Sequence, residues 1–432
     1  MRETIVIWVE RILRIANKLA ALELWVVAPL VAASLVSARV FPTAVACAVF
    51  FWIMRWIGRG KPSLRTPADW AILSLVMMIP VTLWATALPG ETDPQAWRLA
   101  AGIIIYYAIV NWATTSTRVR WLGWGLVTAG FLLALIAPFS VEWSVNKFLL
   151  IPDSIYTHFP LLLRDTIHPN VMAGSLIILI PLPLAWLLFN KDRKLWWLSL
   201  LAALALLAML VVLGLTKSRG AWMALGAVLG TLVLLRWRWG WVVLAVGIFM
   251  ISMVVYRLGL KPVMEALTTS GSISTLEGRQ EVWSRAIFMI QDFAFTGVGL
   301  GTYGDVADAM YPFFLAEPGS TPHAHNLFLQ IGVDLGIPGL IAWLAILALA
   351  IGSAWQLYRS GLLRLDRGLT SLGAALFCSQ VALMVHGFTD AVTWGMVKPA
   401  PLVWALWGLI AAGVNLRVNE KSRNPPPRFA RT

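Results

Sequence analysis

Lys217, Arg219, Arg279, Arg285, His323 and His325 stand out in a chain that has few polar residues, and their types suit one chemistry. A guanidinium fork grips a phosphate through paired N–H donors, where lysine offers a point charge. An imidazole removes a proton near neutral pH. Three strings carry these residues: TKSRGAW at 216–222, GRQEVWSR at 278–285 and TPHAHNLFLQ at 321–330. In the first, Arg219 reads either as an arginine snorkelling beside headgroups or as a phosphate ligand. The adjacent Gly220, which allows close approach, favours the second. In the second string Arg279 and Trp283 share a helical face, whereas Arg279 and Arg285 do not. The plain alternative there is a solvated helix with its arginines paired to Glu277, Glu281 or Asp292. In the third string His325 is the candidate general base, Asn326 is placed to orient it or a substrate, and His323 is a secondary candidate. His-x-His with Asp305 or Asp308 also offers a metal set, and a histidine at a helix start also serves as a cap.

Weaker candidates lie elsewhere. His168, in HPN, reads as a helix cap first and a substrate contact second. His386 and Asp390, near Lys398, read as a structural cluster or an acceptor contact. There is no Walker loop, GxSxG elbow or HExxH pair, so the energy for any reaction comes with the substrate.

The elements that must hold these groups are membrane helices. Of 432 residues, 59% are hydrophobic and 13% charged, about half the charged fraction of a soluble protein. Runs such as Leu195–Leu215 are long enough to cross the hydrocarbon, and backbone in lipid must satisfy itself as helix. Helices are expected near 22–40, 41–57, 68–88, 97–113, 121–138, 170–189, 195–215, 221–235, 241–257, 326–355, 368–387 and 399–416. With both termini inside, the inner connections hold 23 of the 34 Lys and Arg but 5 of the 21 Asp and Glu, the positive-inside pattern. The formal charge of +13 is therefore spread over short links, and nucleic acid is excluded as a partner. The 24 Trp suit interfacial belts. Cys47 and Cys378 read as free thiols. The first twenty residues read as an amphipathic lead-in and 417–432 as a basic cytoplasmic tail. The sequence thus predicts one all-α, integral-membrane domain over 1–432, a bundle of about 12 helices. A long outer loop, 258–325, contains short amphipathic helices and a glycine turn at 297–301 and carries the candidate catalytic region.

The three strings together resemble the O-antigen ligase family. The matching segments are TKSRGAW, GRQEVW with DFAFTGVGLGTYG, and HAHNLFLQIGVDLGIPGL, with HPNVMAG at His168 as an earlier part of the pattern; they cover about residues 160–390. Asp292 and the following FAF stand where many relatives have a proline-containing turn. The family includes O-antigen ligases, O-antigen polymerases and protein O-oligosaccharyltransferases, and some relatives have been labelled bicarbonate-uptake proteins. The resemblance implies a GT-C-like glycosyltransferase of the bacterial inner membrane, working on the periplasmic face without metal or cofactor. The donor would be a glycan on undecaprenyl pyrophosphate, and the acceptor a lipid A-core or growing glycan. Arg219 and Arg279 would hold the pyrophosphate, with Lys217, Arg285, His323, Asn326, His168 and Trp283 in support, and His325 would be the base. A small-anion transporter is the rival reading, but it needs charges at mid-membrane and an inverted repeat, and no such repeat is visible. A non-catalytic subunit that binds lipid-linked glycan is the third.

Overall fold

The computed structural model describes residues 2–34, 37–143, 166–190, 192–259, 276–315, 317–394 and 400–423. Among them the only extended pairing is an isolated bridge between Val141 and Ile167, and helices account for nearly everything else. In chain order these are α1 (Arg2–Ala20), α2 (Glu23–Ser34), α3 (Phe41–Arg59), α4 (Asp69–Ala85), α5 (Pro89–Trp112), α6 (Ser116–Ser140), α7 (Pro169–Ile177), α8 (Pro181–Phe189), α9 (Trp196–Leu215), α10 (Arg219–Arg236), α11 (Gly240–Leu258), α12 (Leu276–Asp292), α13 (Tyr303–Met310), α14 (Leu327–Arg364), α15 (Arg367–Gly387) and α16 (Ala400–Arg423).

Each of the twelve expected apolar segments is helical, and among the described residues ten spans are long and apolar enough to cross a bilayer. The other two segments are α4 and α5. Helix α4 has 17 residues. Helix α5 is long but carries Glu91, Asp93, Arg98 and Asn111, and it turns most of its second half into the bundle, packed against α16. The chain is a polytopic helical membrane protein. Helix α1 leans on α3, with Asn17 Nδ2 donating to the Gly58 carbonyl at 2.9 Å, and it leaves Val6, Ile7, Trp8, Ile12 and Ile15 exposed.

Most of the core runs through α5, α7, α8, α14, α15 and α16. One end of the bundle is closed by short-range polar contacts. Tyr358 donates to the Leu235 carbonyl, Arg236 to that of Leu188, and Asn415 to that of Arg65. In α2 and α3 the Glu23 carboxylate and the Arg55 guanidinium form a buried ion pair, and Arg55 Nε also donates to the Pro62 carbonyl at 2.5 Å. A charge taken out of water needs such partners.

The opposite end carries α12 and α13, which have a small core of their own from Val282, Ala286, Met289, Tyr303, Ala307 and Ala324. This lid is joined to α14 at a kink. Gly336 has φ +69 inside α14, two residues before Pro338, and a proline cannot donate to the turn before it. The freed groups are used across the joint: Val298 N–H donates to the Val333 carbonyl at 2.8 Å, and Ile337 N–H to the Ala294 carbonyl at 2.7 Å. Gly297 and Gly336 both have positive φ, and a β-carbon on either would lie 2.6–2.7 Å from the facing backbone. Only glycine permits that approach. Beside the joint an open apolar cavity of about 820 Å³ lies between α4 and the stretch of α14 just after the kink. Trp70, Ser74, Phe295, Ile341 and Leu349 line it.

Candidate functional site

His323 and His325 sit on the last turn of chain before α14. The helix starts there because Asn326 Oδ1 accepts from Phe328 N–H at 3.0 Å and Leu329 N–H at 3.1 Å, satisfying two donors of the first turn. Asn326 Nδ2 reaches the Phe388 carbonyl at 3.3 Å. The cap is therefore also a tie to the segment that follows α15. His325 has φ +47, a left-handed conformation that a non-glycine residue adopts only when its surroundings impose it. Two contacts impose it. Ala324 N–H donates to Gln330 Oε1 at 2.8 Å, and His325 N–H donates to His323 Nδ1 at 3.2 Å. The two imidazoles then stack obliquely, with centroids 4.1 Å apart.

Asp390 faces this pair from the segment after α15. Its Oδ1 lies 3.7 Å from His323 Nε2 and 3.8 Å from His325 Nδ1. Ala391 N–H donates to Oδ1 and Asn170 Nδ2 to Oδ2, each at 2.8 Å. Asn170 belongs to the first turn of α7, which His168 caps by accepting the Asn170 N–H on Nδ1 at 3.2 Å. His168 thus takes the capping role, and Asn170, its neighbour but one, makes the contact to the cluster. His386 is buried behind it, and a β-carbon on Gly174 of α7 would lie 3.1 Å from its ring.

Arg279, on the first turns of α12, closes the third side. Its NH1 donates to the Thr389 carbonyl at 2.6 Å, one residue before Asp390. Among the described residues no carboxylate forms an ion pair with it. Arg219 begins α10 close enough to Arg279 for the two charges to repel. Gly220 permits this packing, because a β-carbon there would strike Thr389 Oγ1. Close approach at Gly220 was the expectation, and the neighbour is this protein side chain. Lys217 stands just before α10, buried and with φ +52.

The electrostatics of the cluster follow from burial. Burial pushes the Arg279 guanidinium below its ordinary value, with Asp390 opposing. It also pushes His323 down. His325 is pushed down to about 3, by burial first and then by His323, with Arg279 and His168 adding to the effect and Asp390 opposing it. Burial alone would raise Asp390, but the imidazoles of His323, His325 and His386 and the Ala391 N–H hold it below the usual carboxylate range. The site at neutral pH is therefore a neutral imidazole pair beside one carboxylate and two guanidiniums. Nδ1 of His325 is buried without a hydrogen-bond partner.

Two candidates stand apart. Arg285 pairs with Glu281 at 3.6 Å, donates to the Pro312 carbonyl at 3.2 Å and lies over the Phe314 ring. Glu281 in turn accepts the N–H groups of Phe314 and Leu315, so this arginine organises the lid. Trp283 packs on the lid core, with its Nε1 buried and without a hydrogen-bond partner. Lys398 lies outside the described residues. Of the metal sets considered, neither Asp305 nor Asp308 joins the histidines. Asp390 does instead, and the ligand atoms of His323, His325 and Asp390 fall within 4.8 Å of one another. None of the cluster residues lines the cavity beside α4.

From sequence Asp390 reads only as part of a structural cluster or an acceptor contact, apart from His325. Its signal was an acidic residue at the mouth of an apolar helix, where an unpaired charge is costly. Residues 204–344, which include Arg219, Arg279, His323 and His325, match the family model described as O-antigen ligase. No curated protein matches the chain. The apolar spans found among the described residues make the chain a multi-pass membrane protein, and about a third of it matches the O-antigen ligase family model.

Proposed function

We propose that this protein transfers a glycan from undecaprenyl pyrophosphate to an acceptor hydroxyl by a metal-independent, inverting displacement, most simply as an O-antigen ligase acting on lipid A-core. The reading places it in the bacterial inner membrane, termini inside and site outside. The observation that carries it is His325 facing Asp390 across 3.8 Å, with Arg279 bound to the Thr389 carbonyl beside them and Arg219 near Arg279. The two guanidiniums hold the departing pyrophosphate, which gains negative charge as the glycosidic C–O bond breaks. The acceptor oxygen attacks the anomeric carbon from the opposite face, and His325 takes its proton on Nε2. Asp390, facing Nδ1, then stabilises the imidazolium, the part a carboxylate plays behind a general-base histidine. The gap of 3.8 Å exceeds a hydrogen bond, so this stabilisation acts as charge across that distance.

The test is release of undecaprenyl pyrophosphate from a lipid-linked oligosaccharide by the purified protein and its His325→Ala variant, with and without acceptor. Release by the wild type alone supports transfer. A product ladder without added acceptor identifies a polymerase. No release from folded wild type under any acceptor condition ends the proposal in favour of transport.

A further inference from the structure

We propose that Asp334 is a positioning residue: one buried carboxylate inside α14 that sets the three segments of the site in register. This rests on the glycosyl-transfer reading of the cluster. Asp334 is wholly buried one helical turn below Gln330. Its Oδ1 accepts Gln330 Nε2 at 2.8 Å and Gly301 N–H at 3.3 Å, and its Oδ2 accepts Trp394 Nε1 at 2.7 Å. The main-chain carbonyl of the same residue accepts Thr82 Oγ1 at 3.1 Å, tying it to α4.

Each of the three donors leads to a different part of the cluster. Gln330 uses its other end to accept Ala324 N–H, the residue between His323 and His325. Trp394 lies four residues beyond Asp390 on the same segment. Gly301 closes the glycine turn, which is seated on the kink and follows α12 with its Arg279. A buried carboxylate is costly in an apolar bundle. Here it is offset by three N–H donors from three separate segments, an arrangement that accepts only one relative placement of them. The restraint on His325 is the most direct, because its strained backbone is held through Ala324.

Asparagine at 334 keeps the shape but turns one acceptor into an NH₂ group facing N–H donors, which leaves buried donors unpaired. In Asp334→Asn, hydrogen exchange should quicken by about fivefold or more in peptides covering 298–304 and 321–326, with α10 and α15 unchanged. Turnover should fall about tenfold or more, with the KM for lipid-linked donor within about twofold, since the pyrophosphate ligands are not touched. Adding Gln330→Glu gives the new NH₂ group an acceptor and leaves one for Ala324. The double variant should regain protection at 321–326 but not at 298–304, and with it most of the turnover. If Asp334→Asn fails to fold, Trp394→Phe removes a single donor and should lower turnover in the same direction.

Wild-type exchange in a folded Asp334→Asn, or no recovery at 321–326 in the double variant, overturns the proposal. So does a raised donor KM with unchanged turnover. Wild-type protein that releases no undecaprenyl pyrophosphate ends the glycosyl-transfer reading instead, and the exchange measurements still judge the hub.

Discussion

Nδ1 of His325 looks across 3.8 Å at Oδ1 of Asp390, because the start of α14 and the end of α15 share one end of an antiparallel helix pair. In the proposed mechanism Nε2 is then the nitrogen that meets the acceptor hydroxyl. Replacing the ring while keeping the backbone tests this directly. Asparagine tolerates positive φ better than most residues, so His325→Asn should fold as the wild type does. Its turnover should drop by about 10²-fold or more, the usual contribution of a general base. Donor turnover within threefold of wild type would remove His325 from the reaction.

Among the described residues Arg279 is held by a main-chain carbonyl rather than a carboxylate. Arg279→Lys keeps the charge and loses the fork. The KM for the donor should rise about tenfold, and Arg219→Ala should act in the same direction. The check is steady-state kinetics over a donor series. An unchanged KM in both variants would mean that the pyrophosphate lies elsewhere.

His325 is pushed down to about 3 in the folded protein, against 6.5 for free imidazole. Between those values the unfolded chain binds a proton that the folded site refuses. Stability is then fully present above about pH 6.5 and declines as the pH falls toward 3. The melting temperature should decrease between pH 6.5 and 5, and His325→Asn should flatten part of that slope. For the same reason kcat/KM should show no acid limb near 6.5 from this residue. An inflection there that vanishes in His325→Asn would contradict the burial argument.

His323, His325 and Asp390 are close enough to ligate a divalent ion. The proposed displacement needs none, because two guanidiniums face the leaving group. Turnover of extensively chelated protein should equal that of untreated protein. Loss on chelation, restored by zinc or manganese, would favour the metal reading.

Gly220 separates a structural from a chemical role for the TKSRGAW string. A methyl group there would collide with Thr389, whose carbonyl holds Arg279. Gly220→Ala should destabilise by about 1–3 kcal/mol, and Thr389→Ala in the same chain should recover part of the loss by removing the crowding hydroxyl. Thermal denaturation of the single and double variants decides it. A stable Gly220→Ala would mean the packing gives way easily.

Much of the scaffold was legible because lipid allows so few solutions: each expected apolar segment is helical, and the glycine turn and the amphipathic α12 fall where periodicity puts them. Arg219, Arg279 and His325 were legible as types, since scarce charges in an apolar chain draw notice. Asp390 was not tied to His325, because no local pattern reveals which remote segment returns to a helix start. Asp334 and the kink at Gly336 had signals that a plain helix over 326–355 passes over. They are an acidic residue inside an apolar run and a glycine two residues before proline. Arg285 follows the plain alternative: six residues from Arg279 it does not share that face, and it pairs with Glu281 on the lid.

The seat of the lid on α14 consists of main chain meeting main chain, through Val298 with Val333 and Ala294 with Ile337. Apart from its glycines, such a seam is indifferent to which side chains the lid displays. Residues along the outer rim, such as Met310, Phe314 and Leu315, lie off that seam and are exposed. Substitutions there leave the hydrogen bonds of the seam in place. Diversification of what the lid meets is then uncoupled from the anchoring of what it covers.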